Sequence, residues 1–170
     1  MADGTPAIEK VIGLEGDRFT DDPDDRGGAT KYGLTLGFLQ RISPTWKKDR
    51  VFNITRDEAV DLYRKYIWEP SGVARINDQD LANEVFEMIV NMGTGQGVKI
   101  LQRALNFFTA DMVSVDGVLG PATATAANQV DPKQLLQVLQ MEAVRFYFTL
   151  VKKDPSQKKW FLGWIARVIA

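Results

Sequence analysis

Apolar side chains recur every three or four positions along most of this chain, the period of a helix with one buried face. The first such segment runs from Pro6, which suits a first helical turn, to Glu15, and Gly16 can end it. Strand-like alternation is nearly absent. The pattern therefore predicts a mainly α fold, with at most a small β-hairpin in the Asp-, Gly- and Pro-rich loop near residues 18 to 34.

Start signals precede several later helical segments. Thr35 precedes a short segment ending at Ile42, and Thr55 with Glu58 forms a capping box for a helix expected to close at Pro70. The remaining predictions are a helix from Asn77 or Asp78 to Met92, a turn from Gly93 to Gly97, and helices from Val98 to Phe108, from Pro121, from Asp131 to Leu150 and beyond Asp154.

The composition narrows the chemistry. The chain has 170 residues, of which 45% are apolar and 25% charged, a size that suits one domain or one domain with a small appendage. It contains neither histidine nor cysteine, which excludes Ser-His-Asp and Cys-His catalysis, disulfides and thiolate metal sites. Acid–base chemistry then falls to carboxylates, lysines or tyrosines. The net charge of -1 argues against nucleic-acid binding, which needs a basic face.

Six carboxylates lie within the eleven residues that begin at the end of the first predicted helix. A glycosidase needs one carboxylic acid to protonate the leaving oxygen and a second carboxylate to activate water or stabilise the sugar cation. Glu15, at a helix end beside apolar residues, fits the first role, and Asp24 or Asp25 fits the second. The alternatives are a solvated acidic loop or, less in keeping with the spacing, a calcium loop. The six are Glu15, Asp17, Asp21, Asp22, Asp24 and Asp25.

The segment from Glu15 to Gly33 resembles the signature of glycoside hydrolase family 108, a lysozyme-like muramidase family found in phage endolysins and bacterial lysis or secretion-associated proteins. The resemblance implies a lysozyme-like fold and places the catalytic glutamate on Glu15. The matching positions are Glu15, Gly16, Phe19, Asp22, Pro23, Asp25, Gly27, Gly28, Thr30 and Gly33.

One departure leaves the second carboxylate open. The family often has Glu-Gly-Gly before the aromatic residue, whereas this chain has Asp17 and an added Arg18. The family register favours Asp25. The Glu-x8-Asp-x5-Thr spacing of phage-type lysozymes instead favours Asp24. In either register the resemblance makes Thr30 a candidate to orient water, with a plain strand role as its alternative.

Three further residues are candidate substrate contacts. Tyr32 follows the signature threonine closely. Glu87 and Asn91 lie four apart on one helix face, in a segment that resembles the family's central region. They either line the cleft or serve helix packing.

The C-terminal part resembles a helical peptidoglycan-binding module, through Leu-Gln-x-x-Leu at residues 101–105 and Asp-Gly-x-x-Gly-x-x-Thr at residues 116–123. We therefore expect a catalytic lobe over residues 1–95 and a helical lobe over residues 96–170, packed as one unit. The basic, aromatic end contains Trp160, Trp164 and Arg167 at helical spacing. It packs on the core, as the family's similar ending implies, or lies on a membrane surface.

Together these features predict a monomeric peptidoglycan hydrolase of the lysozyme type, which cleaves the β-1,4 bond between N-acetylmuramic acid and N-acetylglucosamine without a metal or cofactor. The rivals are a lytic transglycosylase and a non-catalytic wall-binding or secretion-helper protein. The first residues have neither the basic nor the apolar region of a secretory signal. We expect synthesis in the cytoplasm and release to the wall through a separate pore-forming protein, as in phage lysis.

Overall fold

The computed structural model describes residues 1–21, 28–108 and 113–169, which form a helical body with one small hairpin. The described elements are, in chain order, α1 (Gly4–Glu15), β1 (Thr30–Lys31), β2 (Leu34–Thr35), α2 (Leu36–Ile42), α3 (Lys48–Phe52), α4 (Arg56–Tyr63), a π-helical turn (Arg64–Trp68), α5 (Glu69–Ser71), a 3-10 turn (Val73–Arg75), α6 (Gln79–Met92), α7 (Thr94–Leu105), α8 (Pro121–Gln129), α9 (Pro132–Lys153), a 3-10 turn (Pro155–Gln157) and α10 (Lys158–Ile169).

Helix α6 is the centre of the core. It packs against α1 on one side and α7 on the other. Phe86 of α6 is fully buried and its ring meets those of Tyr63 and Trp68 edge to face, with centroids 6.4 and 5.2 Å away. Burying aromatic rings of this size removes a large apolar area from water, so this contact fixes α4 and its π-helical extension on α6.

The hairpin follows from its turn. Thr30 pairs with Thr35 and Lys31 with Leu34, which leaves Tyr32 and Gly33 as a two-residue loop. Both loop residues have positive φ, 51° and 74°, as a type I′ turn requires. The predicted small hairpin after the first helix is thus confirmed, and it lies beside the end of α1.

The second half of the chain is built on α9. This helix packs against α7 and α10, and the rings of Tyr147 and Trp164 stack with centroids 4.9 Å apart. The buried amide of Gln102 donates to Asp116 Oδ1 at 2.8 Å and accepts from the Gly117 backbone N–H at 2.9 Å. This pairing satisfies a polar side chain inside the core and anchors the turn that precedes α8.

Most of the predicted helix starts agree with the structure. Thr35, Thr55 and Asp78 each accept a hydrogen bond from the backbone N–H three residues on, as N-caps do. Of the two candidates for the start of α6, the cap is Asp78.

Two predicted boundaries are wrong. The turn expected from Gly93 to Gly97 is confined to Gly93, because α7 already begins at Thr94. Gly97 belongs to the helix, where a Cβ would come within 2.8 Å of the Ile89 backbone nitrogen, so glycine permits the close approach of α7 to α6. Pro70 does not close its helix. The preceding turn is π-helical, which relieves the clash of the proline ring with the previous turn, and Gly72 ends the segment at φ 80°.

Among the described residues, no helix combines the length and the apolar character needed to cross a bilayer.

Candidate active site

Glu15 is the last residue of α1, and the chain turns away directly after it. Gly16 makes this turn at φ 68° and donates its backbone N–H to the Ile12 carbonyl. The side chain of Glu15 retains 22% of its exposure, so its carboxylate lies at the protein surface rather than in the core. A carboxyl group in this position is accessible to a large substrate.

Arg167 of α10 holds this carboxylate. Its Nη1 donates to Glu15 Oε1 at 2.8 Å and to Asn91 Oδ1 at 2.9 Å, so one guanidinium nitrogen joins α1, α6 and α10. Burial acts to lower the pKa of Arg167. The hydrogen bond to Glu15, the negative charge of Glu15 and, to a smaller extent, that of Glu87 outweigh burial, so the pKa of Arg167 is raised. The contact is therefore a charge-assisted hydrogen bond between partly buried partners.

The hairpin turn packs directly against the Glu15 side chain. A Cβ added to Gly33 would lie 2.7 Å from Glu15 Cγ and 2.7 Å from the Tyr63 hydroxyl oxygen. Tyr63 donates that hydroxyl to the Tyr32 carbonyl at 2.9 Å, which fixes the turn in place. Burial, and then the charge of Glu15, raise the pKa of Tyr63, so the phenol stays protonated and keeps this hydrogen bond.

A cleft of about 510 Å³ opens between α1, α6 and α10, with Glu15 in its wall. This volume falls in the range of ~300–1,000 Å³ that is usual for ligand sites. The lining residues are Glu15, Asn91, Trp160, Gly163, Trp164 and Arg167. One carboxylate, an amide, a cation and two indole rings thus face a common space, a combination suited to a polar ring-shaped ligand.

The hairpin candidates lie near this cleft. Thr30 is a strand residue whose hydroxyl donates to the Gly28 carbonyl at 2.8 Å, and its backbone pairs with Thr20 and Thr35. Since its only hydroxyl proton is engaged, Thr30 is left with acceptor capacity toward a water molecule. The backbone carbonyl of Tyr32 accepts the Tyr63 hydroxyl, and the Tyr32 side chain is half-buried against the core.

The two candidate residues on α6, Asn91 and Glu87, have different surroundings. Asn91 lies in the cleft and binds Arg167. Glu87, one turn earlier, is 5% exposed and pairs with Lys10 of α1 at 2.9 Å, so it is a buried acid between two helices. Lys10 also pairs with Glu84. Burial raises the pKa of Glu84, although the positive charge of Lys10 acts to lower it.

Asp24 and Asp25, the two candidates for the second carboxylate, lie outside the described residues. Their placement relative to Glu15 therefore stays a prediction. Among the residues that the structure does describe, no group of three or more Asp or Glu side chains is arranged to hold a metal ion.

The pattern of the sequence did not single out the role of α10 at the site. Trp160, Trp164 and Arg167 were expected to belong to a terminal helix packed on the core or lying on a membrane. The structure packs this helix on α9 and also places all three residues in the lining of the cleft with Glu15. Their spacing of three to four residues showed that they share a helix face, but spacing cannot indicate which partner that face meets.

Comparison with known proteins agrees with this geometry. Residues 8–93 match the family model of glycosyl hydrolase 108, and residues 96–169 match that of a predicted peptidoglycan domain. Among solved structures, SagA from Brucella abortus superposes with a TM-score of 0.80 at 25% identity, over 96% of this chain and 87% of that one. No curated protein matches the chain. The two matched families indicate a peptidoglycan hydrolase.

Proposed function

Because the chain belongs to the glycosyl hydrolase 108 family, we propose that it is an N-acetylmuramidase that cleaves the β-1,4 bond between N-acetylmuramic acid and N-acetylglucosamine. The observation that carries this proposal is Glu15, a partly exposed carboxyl held rigidly in the wall of an open cleft. The expected setting is bacterial lysis by a phage or prophage enzyme released through a separate pore-forming protein.

In this mechanism Glu15 is the general acid. Arg167 holds Oε1, whereas Oε2 accepts no hydrogen bond from the described part of the chain. No donor from that part of the chain competes for Oε2, so a proton on Oε2 can be transferred to the oxygen of the leaving sugar. Protonation of that oxygen lets the glycosidic bond break while positive charge develops on the other sugar ring.

The second half of the reaction requires a carboxylate opposite Glu15. Asp25 or Asp24 would fill this role, either by activating a water molecule or by stabilising the sugar cation directly. Thr30 would orient the water by accepting a hydrogen bond from it, since the hydroxyl proton of Thr30 already binds the Gly28 carbonyl. Peptidoglycan is thus the substrate, and the reaction consumes one water per bond.

The products distinguish this function from its rivals. Digestion of purified peptidoglycan by the protein should yield muropeptides with reducing N-acetylmuramic acid ends, each heavier by one water than the anhydro product of a transglycosylase. Mass spectrometry of the products reads this difference directly. The protein should also clear suspensions of membrane-permeabilised bacteria. Anhydro products, or none, would refute the muramidase proposal.

A second, independent surface favours contact with an anionic membrane. Met141 and Phe148 of α9 and Ile169 of α10 are each more than 60% exposed and border a shallow groove, which Arg145 also lines. Exposed lysines lie at the end of α9 and the start of α10: Lys152, Lys153, Lys158 and Lys159. Apolar side chains flanked by cations suit a surface of acidic lipid headgroups.

Vesicle binding tests this contact. The protein should sediment with phosphatidylglycerol vesicles but not with phosphatidylcholine vesicles, and the double variant Met141→Ser with Phe148→Ser should weaken sedimentation at least fivefold. Phe107→Ser removes an equally exposed aromatic residue at the end of α7 and should leave sedimentation unchanged. Equal sedimentation with both lipids, or with neither, would contradict a role for acidic lipids.

A further inference from the structure

We infer that α10 carries a glycan subsite beside Glu15, in which Trp160 is the platform for a sugar ring and Gly163 is the gap that admits it. The inference rests on the proposed function, because it assigns the ligand of the same cleft. It gives the C-terminal helix, which belongs to the segment matched by the peptidoglycan domain, a direct part in holding the strand that Glu15 cleaves.

The two tryptophans of α10 have different surroundings. Trp164 is half-buried and stacks on Tyr147, with ring centroids 4.9 Å apart and planes 19° from parallel. Trp160, one turn earlier, is 54% exposed and lines the cleft. Trp164 thus anchors the helix to α9, whereas much of the Trp160 indole faces solvent. The apolar C–H face of a pyranose ring packs on such an indole, while the sugar hydroxyls remain in water.

An exposed aromatic residue alone is common on protein surfaces and needs no function. The residue that makes Trp160 informative is Gly163. Glycine is among the least favourable residues in a helix interior, and a helical glycine usually permits a close packing contact. Here a Cβ at position 163 would meet no atom of the described residues within 4 Å, so their packing does not require glycine. Gly163 lines the cleft, and a bulky side chain there would occupy part of it.

The proposed subsite at Trp160 and the arginine that binds Glu15 lie at opposite ends of one face of α10. Trp160, Gly163, Trp164 and Arg167 follow the i, i+3, i+4, i+7 spacing that places side chains on one face. The helical rise puts Trp160 about 10 Å along the axis from Arg167, which binds Glu15. A sugar on Trp160 would therefore lie next to the reacting bond, not at it. Trp160 is accordingly a binding residue, and its loss should affect binding more than the chemical step.

The gap can be closed without disturbing the fold. Gly163→Phe puts a ring into the cleft at a position where a Cβ contacts no residue that the structure describes, and it replaces a poor helix former. We expect the melting temperature to be unchanged or higher and the kcat/KM on soluble, peptide-free glycan strands to fall at least tenfold. Gly163→Ala is the matched control, because it gains at least as much helix propensity as the phenylalanine change but adds only a methyl group to the cleft. It should retain activity within about twofold. Full activity in Gly163→Phe would overturn the subsite.

The platform is tested by truncation. Trp160→Ala should raise KM on the same strands five- to tenfold with kcat within twofold, and Trp160→Phe should recover most of the loss. Leu162→Ala removes a side chain that is 79% exposed on the same helix but does not line the cleft, so it should match wild type. An unchanged KM in Trp160→Ala, or an equal loss in Leu162→Ala, would contradict a sugar platform.

Binding measured without turnover separates this inference from the proposed reaction. Calorimetric titration of the full-length Glu15→Gln protein with the same strands should give a dissociation constant that Gly163→Phe raises at least tenfold. If the wild type binds but does not hydrolyse, the muramidase proposal fails and the subsite stands. If the wild type hydrolyses and the Gly163→Phe and Trp160→Ala changes alter neither binding nor KM, the subsite fails and the muramidase proposal stands.

Discussion

Glu15→Gln should reduce the rate of peptidoglycan hydrolysis by about 10²–10⁴-fold, the usual contribution of a general acid. Glutamine has nearly the same shape and keeps a carbonyl oxygen for Arg167, so the network around the cleft should survive. What it lacks is a carboxyl proton for the leaving oxygen. The loss should therefore appear in kcat, with KM little changed, when reducing ends are measured on purified peptidoglycan.

Glu9→Gln provides the matched control for this change. Glu9 lies on the same helix and forms an ion pair with Arg56, but that pair is exposed and remote from the cleft lining. Exposed pairs contribute only ~0–1 kcal/mol, so Glu9→Gln should leave activity intact and shift the melting temperature by no more than a few degrees. If Glu15→Gln hydrolyses peptidoglycan as fast as this control, Glu15 is not the general acid.

The position of Glu15 at a helix end is a local property, and the sequence alone predicts it. A proline near the start, apolar residues at helical spacing and a glycine after the last turn specify α1 through interactions within a few residues. The same holds for the caps at Thr35 and Thr55, where a side chain binds a backbone N–H three residues away. Fold class was predictable because it depends mainly on such local rules.

The residues around Glu15 come from distant parts of the chain, and the sequence pattern does not predict which of them contact it. Arg167 lies 152 positions from Glu15, and helical periodicity carries no information about which helices meet. The hairpin is intermediate in this respect. Gly33 belongs to the family signature, but its reason is visible only in the structure, where its missing side chain makes room for Glu15 and Tyr63.

The segments matched to two different families meet at one carboxylate. Glu15 and Asn91 belong to the segment that matches glycosyl hydrolase 108, while Arg167 belongs to the segment that matches the peptidoglycan domain. A helix from the second segment thus fixes the side chain of the proposed acid in the first. We therefore expect that the two segments act as one catalytic unit and that Arg167 is a positioning residue for Glu15.

Arg167→Met should lower kcat about 10- to 100-fold with KM changed less than threefold, because the carboxyl of Glu15 loses its fixed orientation, and a small misplacement of a catalytic group is costly. The fold should survive. The pair is partly exposed, with 36% and 22% of the two side chains accessible, so its loss should lower the free energy of unfolding by about 1 kcal/mol at most, or about 2–4 °C in melting temperature. Steady-state kinetics and thermal unfolding of the same samples measure both quantities.

Two rescues distinguish positioning from a merely structural role. Arg167→Lys keeps a cation but cannot reproduce the planar donor array, so it should recover kcat only in part. In Arg167→Ala, added guanidinium at millimolar concentration should enter the vacated space and raise kcat, whereas the same concentration of ammonium should have a smaller effect. A variant whose kcat neither cation changes, and whose loss of activity follows its loss of melting temperature, would assign Arg167 to packing alone. Asn91→Ala supplies a further check, because it removes an acceptor that steadies Arg167 but leaves the Arg167–Glu15 contact, and it should lower kcat less than Arg167→Met does.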